Sequence, residues 1–309
     1  MARVTLAKST GFSEGAIREA VFRAMDLLDY DLKGNVDSVV IKPNLCYYWD
    51  YSTGETTDPR VVSAMIDWVR QSLGNDVSIC VAEADASAMR TKYAFKMLGY
   101  EKLSFEKNVA LVNLSEGDIT NREVVVAGTR WVLPINRILL EKKLLINVPK
   151  LKYQRAIGFT CALKNIFGAI SKPHKFSYHK KLAQVIVAVN KIVGTDIVLV
   201  DGIVVSGKKT KKLGVAIASD NATGCDFVAA KASGREPSRI GYLKLAVKEK
   251  IGNPESLVLI ENSVKLSDIR KEFPKQNYLL QKWLWELQLR ALRTYARFSG
   301  DIIPPVLSE

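Results

Sequence analysis

Histidine and cysteine, the side chains that most often build metal centres and nucleophilic sites, are scarce here. The 309 residues hold two of the first, His174 and His179, and four of the second, Cys46, Cys80, Cys161 and Cys225. No two cysteines form a Cys-x-x-Cys pair, which excludes a local zinc ribbon or ferredoxin loop and argues against a disulfide framework, so a reducing compartment is expected. Long apolar runs are missing too. No stretch approaches the roughly 18 residues of a spanning helix, and the opening Arg3-Val4-Thr5-Leu6-Ala7-Lys8 has no uninterrupted apolar core of a secretion signal. The expectation is a cytoplasmic protein without a transmembrane segment. Neither a glycine-rich dinucleotide fingerprint nor a phosphate loop ending in Gly-Lys-Ser/Thr occurs, and Gly11-Phe12-Ser13-Glu14-Gly15 fits neither pattern.

Acidic residues are absent from the whole interval between Glu141 and Asp196. Bases fill it instead: Lys142, Lys143, Lys150, Lys152, Arg155, Lys164, Lys172, Lys175, Lys180, Lys181 and Lys191, with both histidines among them. The chain as a whole carries 45 Lys plus Arg against 32 Asp plus Glu, a formal charge of +13, yet 48% of it is apolar. Disorder is excluded by that apolar share, and runs such as Leu144-Leu145-Ile146-Asn147-Val148 within the basic interval demand burial. The interval therefore reads as a folded basic surface suited to phosphates or carboxylates.

Short β-branched runs alternate with helical patterns over the first 260 residues, the mark of a mainly parallel sheet with helices on both faces. Strands are expected at 36–41, 77–81, 110–114, 124–127, 143–148, 197–200, 214–218 and 257–260. Asp58-Pro59 opens a helix with Val61, Val62, Met65, Ile66 and Val69 on one face, Asn221 caps another reaching Ala232, and Ser238 a third reaching Lys250. A length of 309 fits one α/β domain over 1–262, or two lobes meeting near 140, followed by a helical extension over 263–309. In that extension Leu280, Trp283, Leu284, Leu287 and Ala291 form one apolar stripe opposite Lys282, Glu286, Arg290, Arg293 and Arg297. This C-terminal amphipathic helix could dock on the domain, join a homodimer, meet a partner protein or lie on a membrane.

Polar residues gather where strands end, and open α/β sheets bind ligands beyond the carboxyl ends of their strands. Lys42, Asn44, Lys150 and Lys152 follow two such strands and are expected to bind an anionic substrate together with Asn165. Lys164 and Asn165 open a helix whose free amides and dipole would favour the same anion. A lysine pKa falls readily when the group is buried beside other cations, so Lys164 could act as base or nucleophile. Asp201 could carry a proton. Asp85, Asp201 and Asp220 each follow a strand and could instead hold a divalent cation through oxygen ligands, while ion pairing and helix capping compete for the same carboxylates. Glu83 and Asp226 belong to the same group of acids. Cys46, Cys161 and Cys225 could converge in space, although an iron–sulfur cluster within this chain is not expected.

The order of these pieces resembles the family called domain of unknown function 362 over most of residues 3 to 262. The resemblance rests on Ile41-Lys42-Pro43-Asn44-Leu45-Cys46, Thr56-Thr57-Asp58-Pro59-Arg60-Val61-Val62 and Ile146-Asn147-Val148-Pro149-Lys150-Leu151-Lys152. It continues through Ala162-Leu163-Lys164-Asn165-Ile166-Phe167-Gly168, Val200-Asp201-Gly202-Ile203 and Ser219-Asp220 with Cys225-Asp226-Phe227-Val228-Ala229-Ala230. Many members add a ferredoxin-like iron–sulfur module, which the resemblance links to redox chemistry and which this chain lacks. Gln154 stands where relatives tend to have histidine, whereas His179 matches the family histidine after the Leu-Lys-Asn-Ile-Phe-Gly segment and becomes a candidate general acid or base.

The leading expectation is an enzyme binding a small phosphorylated or carboxylated substrate in a strand-end crevice, with a lysine clamp and a carboxylate or His179 moving a proton. Two alternatives stay open. A nucleic-acid-binding protein would use the 142–191 surface, with Tyr153, Phe159, Phe176 and Tyr178 stacking on bases. A redox accessory protein would work with a separate iron–sulfur partner.

Overall fold

The computed structural model describes residues 1–32, 36–45, 47–87, 89–153, 158–207, 209–252 and 256–274, with Leu287, Arg290, Ala291 and Thr294. Ten strands are defined among them: β1 (Ala2–Lys8), β2 (Ser38–Pro43), β3 (Ser78–Glu83), β4 (Ala110–Asn113), β5 (Ile119–Val126), β6 (Thr129–Asn136), β7 (Leu144–Val148), β8 (Ile197–Val205), β9 (Lys211–Ser219) and β10 (Leu257–Glu261). The helices are α1 (Glu14–Leu28), α2 (Pro59–Leu73), α3 (Thr91–Met97), α4 (Tyr100–Lys107), α5 (Ile138–Glu141), α6 (Ala162–Ile166), α7 (Leu182–Val193), α8 (Ala222–Ala232), α9 (Gly241–Lys248) and α10 (Leu266–Glu272).

Eight strands form one sheet in the order β10-β1-β9-β8-β7-β2-β3-β4, and β5 and β6 form a separate hairpin. All neighbours in the large sheet pair in parallel except at β9, which runs antiparallel to both β8 and β1. The β2–β7 ladder, from Val39 opposite Leu144 to Pro43 opposite Val148, joins the strands that precede residue 140 to those that follow it. The two sequence halves therefore share one sheet.

Side-chain alternation along the strands builds two cores, one on each face. On one face Val39, Ile41, Leu144, Ile146 and Leu199 pack with the apolar stripes of α1 and α2 and with Phe95, Tyr100 and Leu103 of α3 and α4. On the other, Val40, Leu145, Val198, Val200 and Ile217 pack with α6, α7, α8 and α9. Covered twice, β7 and β8 are buried at every position, as expected for central strands of a sheet with helices on both sides.

Local signals account for several helix starts. Ser13 accepts from the Ala16 amide at α1, Asp58 from Arg60 at α2 with Pro59 as first helical residue, and Asn221 from Gly224 at α8. Ser238 does not cap a helix. It lies in a short 3-10 turn, its hydroxyl meets Glu236, and α9 begins later at Gly241 without a side-chain cap. α7 is built from Val185, Ile186, Val187, Val189 and Val193, a β-branched run with strand character. It becomes a helix because it is enclosed by α6, α9 and β5, where helical hydrogen bonds satisfy its backbone.

The domain does not end at 262. Ile269 and Phe273 of the α10 segment are buried in the core beneath α8, and Lys8 bonds Glu272 at 3.0 Å. The expected amphipathic helix lies outside the described residues except for Leu287, Arg290, Ala291 and Thr294, which are helical and exposed. Among the described residues no helix is long and apolar enough to cross a membrane.

Candidate functional site at the strand ends

The chain leaves β2 toward β3 and β4, then returns to β7 on the other side of β2 and moves on to β8. The strand order thus reverses between β2 and β7, and the carboxyl ends at such a switch point flank a crevice. Lys42 of β2 lies opposite Asn147 of β7 there. Lys42 is fully buried, and its ammonium donates to Glu83 Oε1 at 2.7 Å and to the Pro43 carbonyl at 3.1 Å. Glu83 also accepts from the amides of Ala84 and Leu45. Gly168 closes over this pair: a Cβ there would lie 3.0 Å from Lys42 Nζ and 3.1 Å from Glu83 Oε1, so any side chain at this glycine of the Leu-Lys-Asn-Ile-Phe-Gly segment would crowd the ion pair.

Three asparagines cross the switch point. Asn165 of α6 donates to the carbonyls of Lys42 and Pro43 and to Asn147 Oδ1, while Asn147 donates to Ala162. Asn165 Oδ1 is therefore left to accept from Asn44 Nδ2, at 3.0 Å, which turns Asn44 Oδ1 the other way. Among the described residues that oxygen is buried with no hydrogen-bond donor, an acceptor whose desolvation costs free energy.

A second fully buried ion pair stands one strand over. Lys150 Nζ meets Asp201 Oδ2 at 2.8 Å, and the Lys150–Asp201 bridge prolongs the β7–β8 pairing. Asp201 also accepts from the amides of Asp58 and Ile203. Burial pushes its carboxyl up, against the pull of the Lys150 ammonium. The Thr56-Thr57-Asp58-Pro59-Arg60 segment ties these groups to β2: Thr57 donates to Val148 and accepts from the Asn44 amide, and Asp58 pairs with Arg60 at 2.7 Å. Lys152 donates to the Glu55 carbonyl at 2.6 Å, with the Glu55 carboxylate 3.5 Å away.

Lys175 is the residue that sequence reasoning passed over. It sits in a polar Pro173-His174-Lys175 segment with no periodic apolar cue, yet the folded chain buries it. Its ammonium donates to the carbonyls of Asp85 and Gly168 at 2.7 and 2.9 Å, and no carboxylate among the described residues lies within ion-pair distance of it. Desolvation, opposed by Glu83 and reinforced by Lys42 and Lys164, lowers its pKa to about 7. His179 Nδ1 lies 3.1 Å from the Lys175 carbonyl, so that nitrogen carries the hydrogen, and its ring meets Phe167 edge-on. Lys164 Nζ sits 4.2 Å over the Phe167 ring.

Several expectations require correction. Asp220 is not at this edge. Because β9 runs antiparallel, its last residue pairs with Val4 and Val198 near the amino ends of the parallel strands, and Asp220 accepts from the Arg3 amide there. Asp85 serves Thr91 and Asn113 instead of meeting Asp201, and among the described residues no three His, Cys, Asp or Glu converge to hold a metal ion. The first amides of α6 are not open to an external anion, because Asp226 Oδ1 and Oδ2 already accept from Ala162 and Leu163. Burial raises that carboxyl to about 7. Cys161 and Cys225 are neighbours in the core beside Asp226, and Cys46 and Gln154 lie outside the described residues.

The basic interval is not one surface either. Lys150, Lys152 and Lys175 turn inward, and Lys142 caps the carbonyls of Leu139 and Val193. Tyr153 and Phe159 are buried and Tyr178 packs on Trp131 and Phe167, so these three do not form an exposed aromatic track for a nucleic-acid strand. The Phe176 side chain lies outside the described residues.

This is an α/β protein with a buried, ion-paired polar cluster at the switch point of an open, mostly parallel sheet. Residues 39–231 match the family described as Domain of unknown function (DUF362), and the chain belongs to it. Its fold is similar to that of the lactate racemase apoprotein from Thermoanaerobacterium thermosaccharolyticum, with a TM-score of 0.50 and 15% identity over 74% of this chain and 56% of the racemase. The chain thus spans little more than half the length of that protein. No curated protein sequence matches it.

Glu83→Leu leaves the Lys42 ammonium buried with one carbonyl partner, and a loss of roughly 3–5 kcal/mol in urea-monitored unfolding is expected. Lys42→Met should cost less, since Glu83 keeps two amide donors, and adding it to Glu83→Leu should recover part of the loss. Lys175 predicts a pH dependence of stability. Below about pH 7 the native and unfolded chains both hold its proton. Between about 7 and the usual 10.5 only the unfolded chain does. Stability from this group therefore rises with pH across that window, and Lys175→Met should abolish the rise in unfolding free energies measured through it.

Proposed function

We propose that this protein is an enzyme that binds a small carboxylated or phosphorylated anion in the strand-end crevice between β2 and β7 and moves a proton on it with Lys175. The observation that carries the reading is a buried ammonium, that of Lys175, held by the carbonyls of Asp85 and Gly168 and by no carboxylate among the described residues. The nearby Glu83 carboxylate is already committed to Lys42.

Lys175 supports the proton-transfer role by its geometry. A neutral amine has two N–H groups and one lone pair, and two carbonyls, those of Asp85 and Gly168, are placed to accept them. The lone pair is left to take a proton, and a base poised near neutral pH suits general catalysis. Asn44 Oδ1 supplies an acceptor for a hydroxyl or N–H of the bound molecule. His179, whose Nδ1 meets the Lys175 carbonyl, is a second candidate proton carrier. Lys150 and Asp201 satisfy each other and the Asp58 and Ile203 amides, which assigns them to holding the crevice together. At 15% identity the racemase contributes a fold and no reaction, but a 2-hydroxy carboxylate is a sensible probe of the stated class.

Titration of the protein with lactate and with inorganic phosphate, followed by amide chemical shifts, should give saturable changes at Asn44, Gly168 and Lys175. Lys175→Met should weaken the binding by about tenfold or more, in line with the loss of one charge-assisted contact. Shifts confined to surface lysines, or binding unchanged in Lys175→Met, would overturn the reading.

A further inference from the structure

A cavity of about 380 Å³ opens away from the Lys42 cluster, between the segment after β7, the end of α8 and the end of α10. Among the described residues its walls carry three bases, Lys152, Arg235 and Arg270, and no acid, and three aromatic rings, those of Tyr153, Phe159 and Phe273. The sequence builds it deliberately at α8. Gly234 takes the left-handed conformation at φ 73°, and the Arg235 amide reaches back to the Ala230 carbonyl, closing a Schellman-type cap. This turn sets the Arg235 guanidinium 5.6 Å over the Tyr153 ring. Phe159 and Phe273 are buried and form an apolar floor, while Arg270 leaves the last turn of α10 exposed to solvent. Lys152 is held from behind by Glu55, which moderates its charge.

We propose that this cavity is a second binding site, specific for a small aromatic anion: one ring bearing a phosphate or carboxylate. A void of about 150 Å³ suffices for benzene, so a cavity of this size takes a ring together with its charged substituent. The ring packs on Phe159 and Phe273, and the anionic group lies between Arg235 and Arg270, whose planar forks match phosphate and carboxylate oxygens. The site is independent of the crevice reading, since Lys175 does not line it.

Phenyl phosphate and benzoate titrated into the full chain by calorimetry test this, with the better bound of the two identifying the anionic group. Saturable one-site binding is expected from at least one of them. Arg270→Glu, which alters an exposed side chain, should weaken it by tenfold or more, as should Arg235→Gln, while Lys175→Met should leave it unchanged. Benzyl alcohol and inorganic phosphate, each lacking half of the recognised chemistry, should bind at least tenfold more weakly. Absence of saturable binding by both aryl anions, equal binding of benzyl alcohol, indifference to both arginine substitutions, or loss of binding in Lys175→Met would each overturn the proposal.

Discussion

An ammonium taken out of water must be matched by a carboxylate, satisfied by carbonyls, or stripped of its proton, because each alternative costs several kcal/mol. The strand ends of this protein meet that constraint in all three ways. Lys42 and Lys150 are matched by Glu83 and Asp201. Lys152 takes a carbonyl and a more distant carboxylate from the same residue, Glu55. Lys175 has, among the described residues, carbonyls alone and responds by lowering its pKa. The first two pairs join β2 to β3 and β7 to β8, so these buried charges also fix the sheet edge on which they stand.

Covering elements follow from the same requirement. α6 and the glycine after it lie against the Lys42–Glu83 pair, close enough that a Cβ at position 168 would crowd both charged groups. Asp226 anchors the start of α6 by taking its two leading amides, and Tyr242 of α9 donates to the same carboxylate at 3.2 Å. An internal carboxylate thus occupies the position where the helix dipole would otherwise invite an external one.

Much of this was legible from residues alone. Alternating β-branched runs located most strands, Asp58-Pro59 and Asn221 located two helices, and the family segments marked the side chains that the fold gathers at β2, β7 and α6. The misplaced Asp220 came from strand lengths. With strands taken as 197–200 and 214–218, the intervening chain is long enough for a parallel crossover. In the fold β8 reaches Val205 and β9 begins at Lys211, and the short link between them permits only an antiparallel return. Val204 and Val205 were the signal. Lys175 had no such signal, because burial of a lysine in a polar 3-10 segment depends on Gly168 and Asp85, which are brought to it only by the tertiary fold. The inward turn of Lys150 and Lys152 was hidden for the same reason: their partners, Asp201 and Glu55, lie far away in sequence.

Lys175, buried at the strand ends, should exchange its proton near neutral pH. Direct NMR titration of the Lys175 side chain, assigned by comparison with Lys175→Arg, tests it most plainly. A midpoint near pH 7, well separated from the surface lysines, is the predicted result. A midpoint near 10.5, with Lys175 titrating among the rest, would contradict the account.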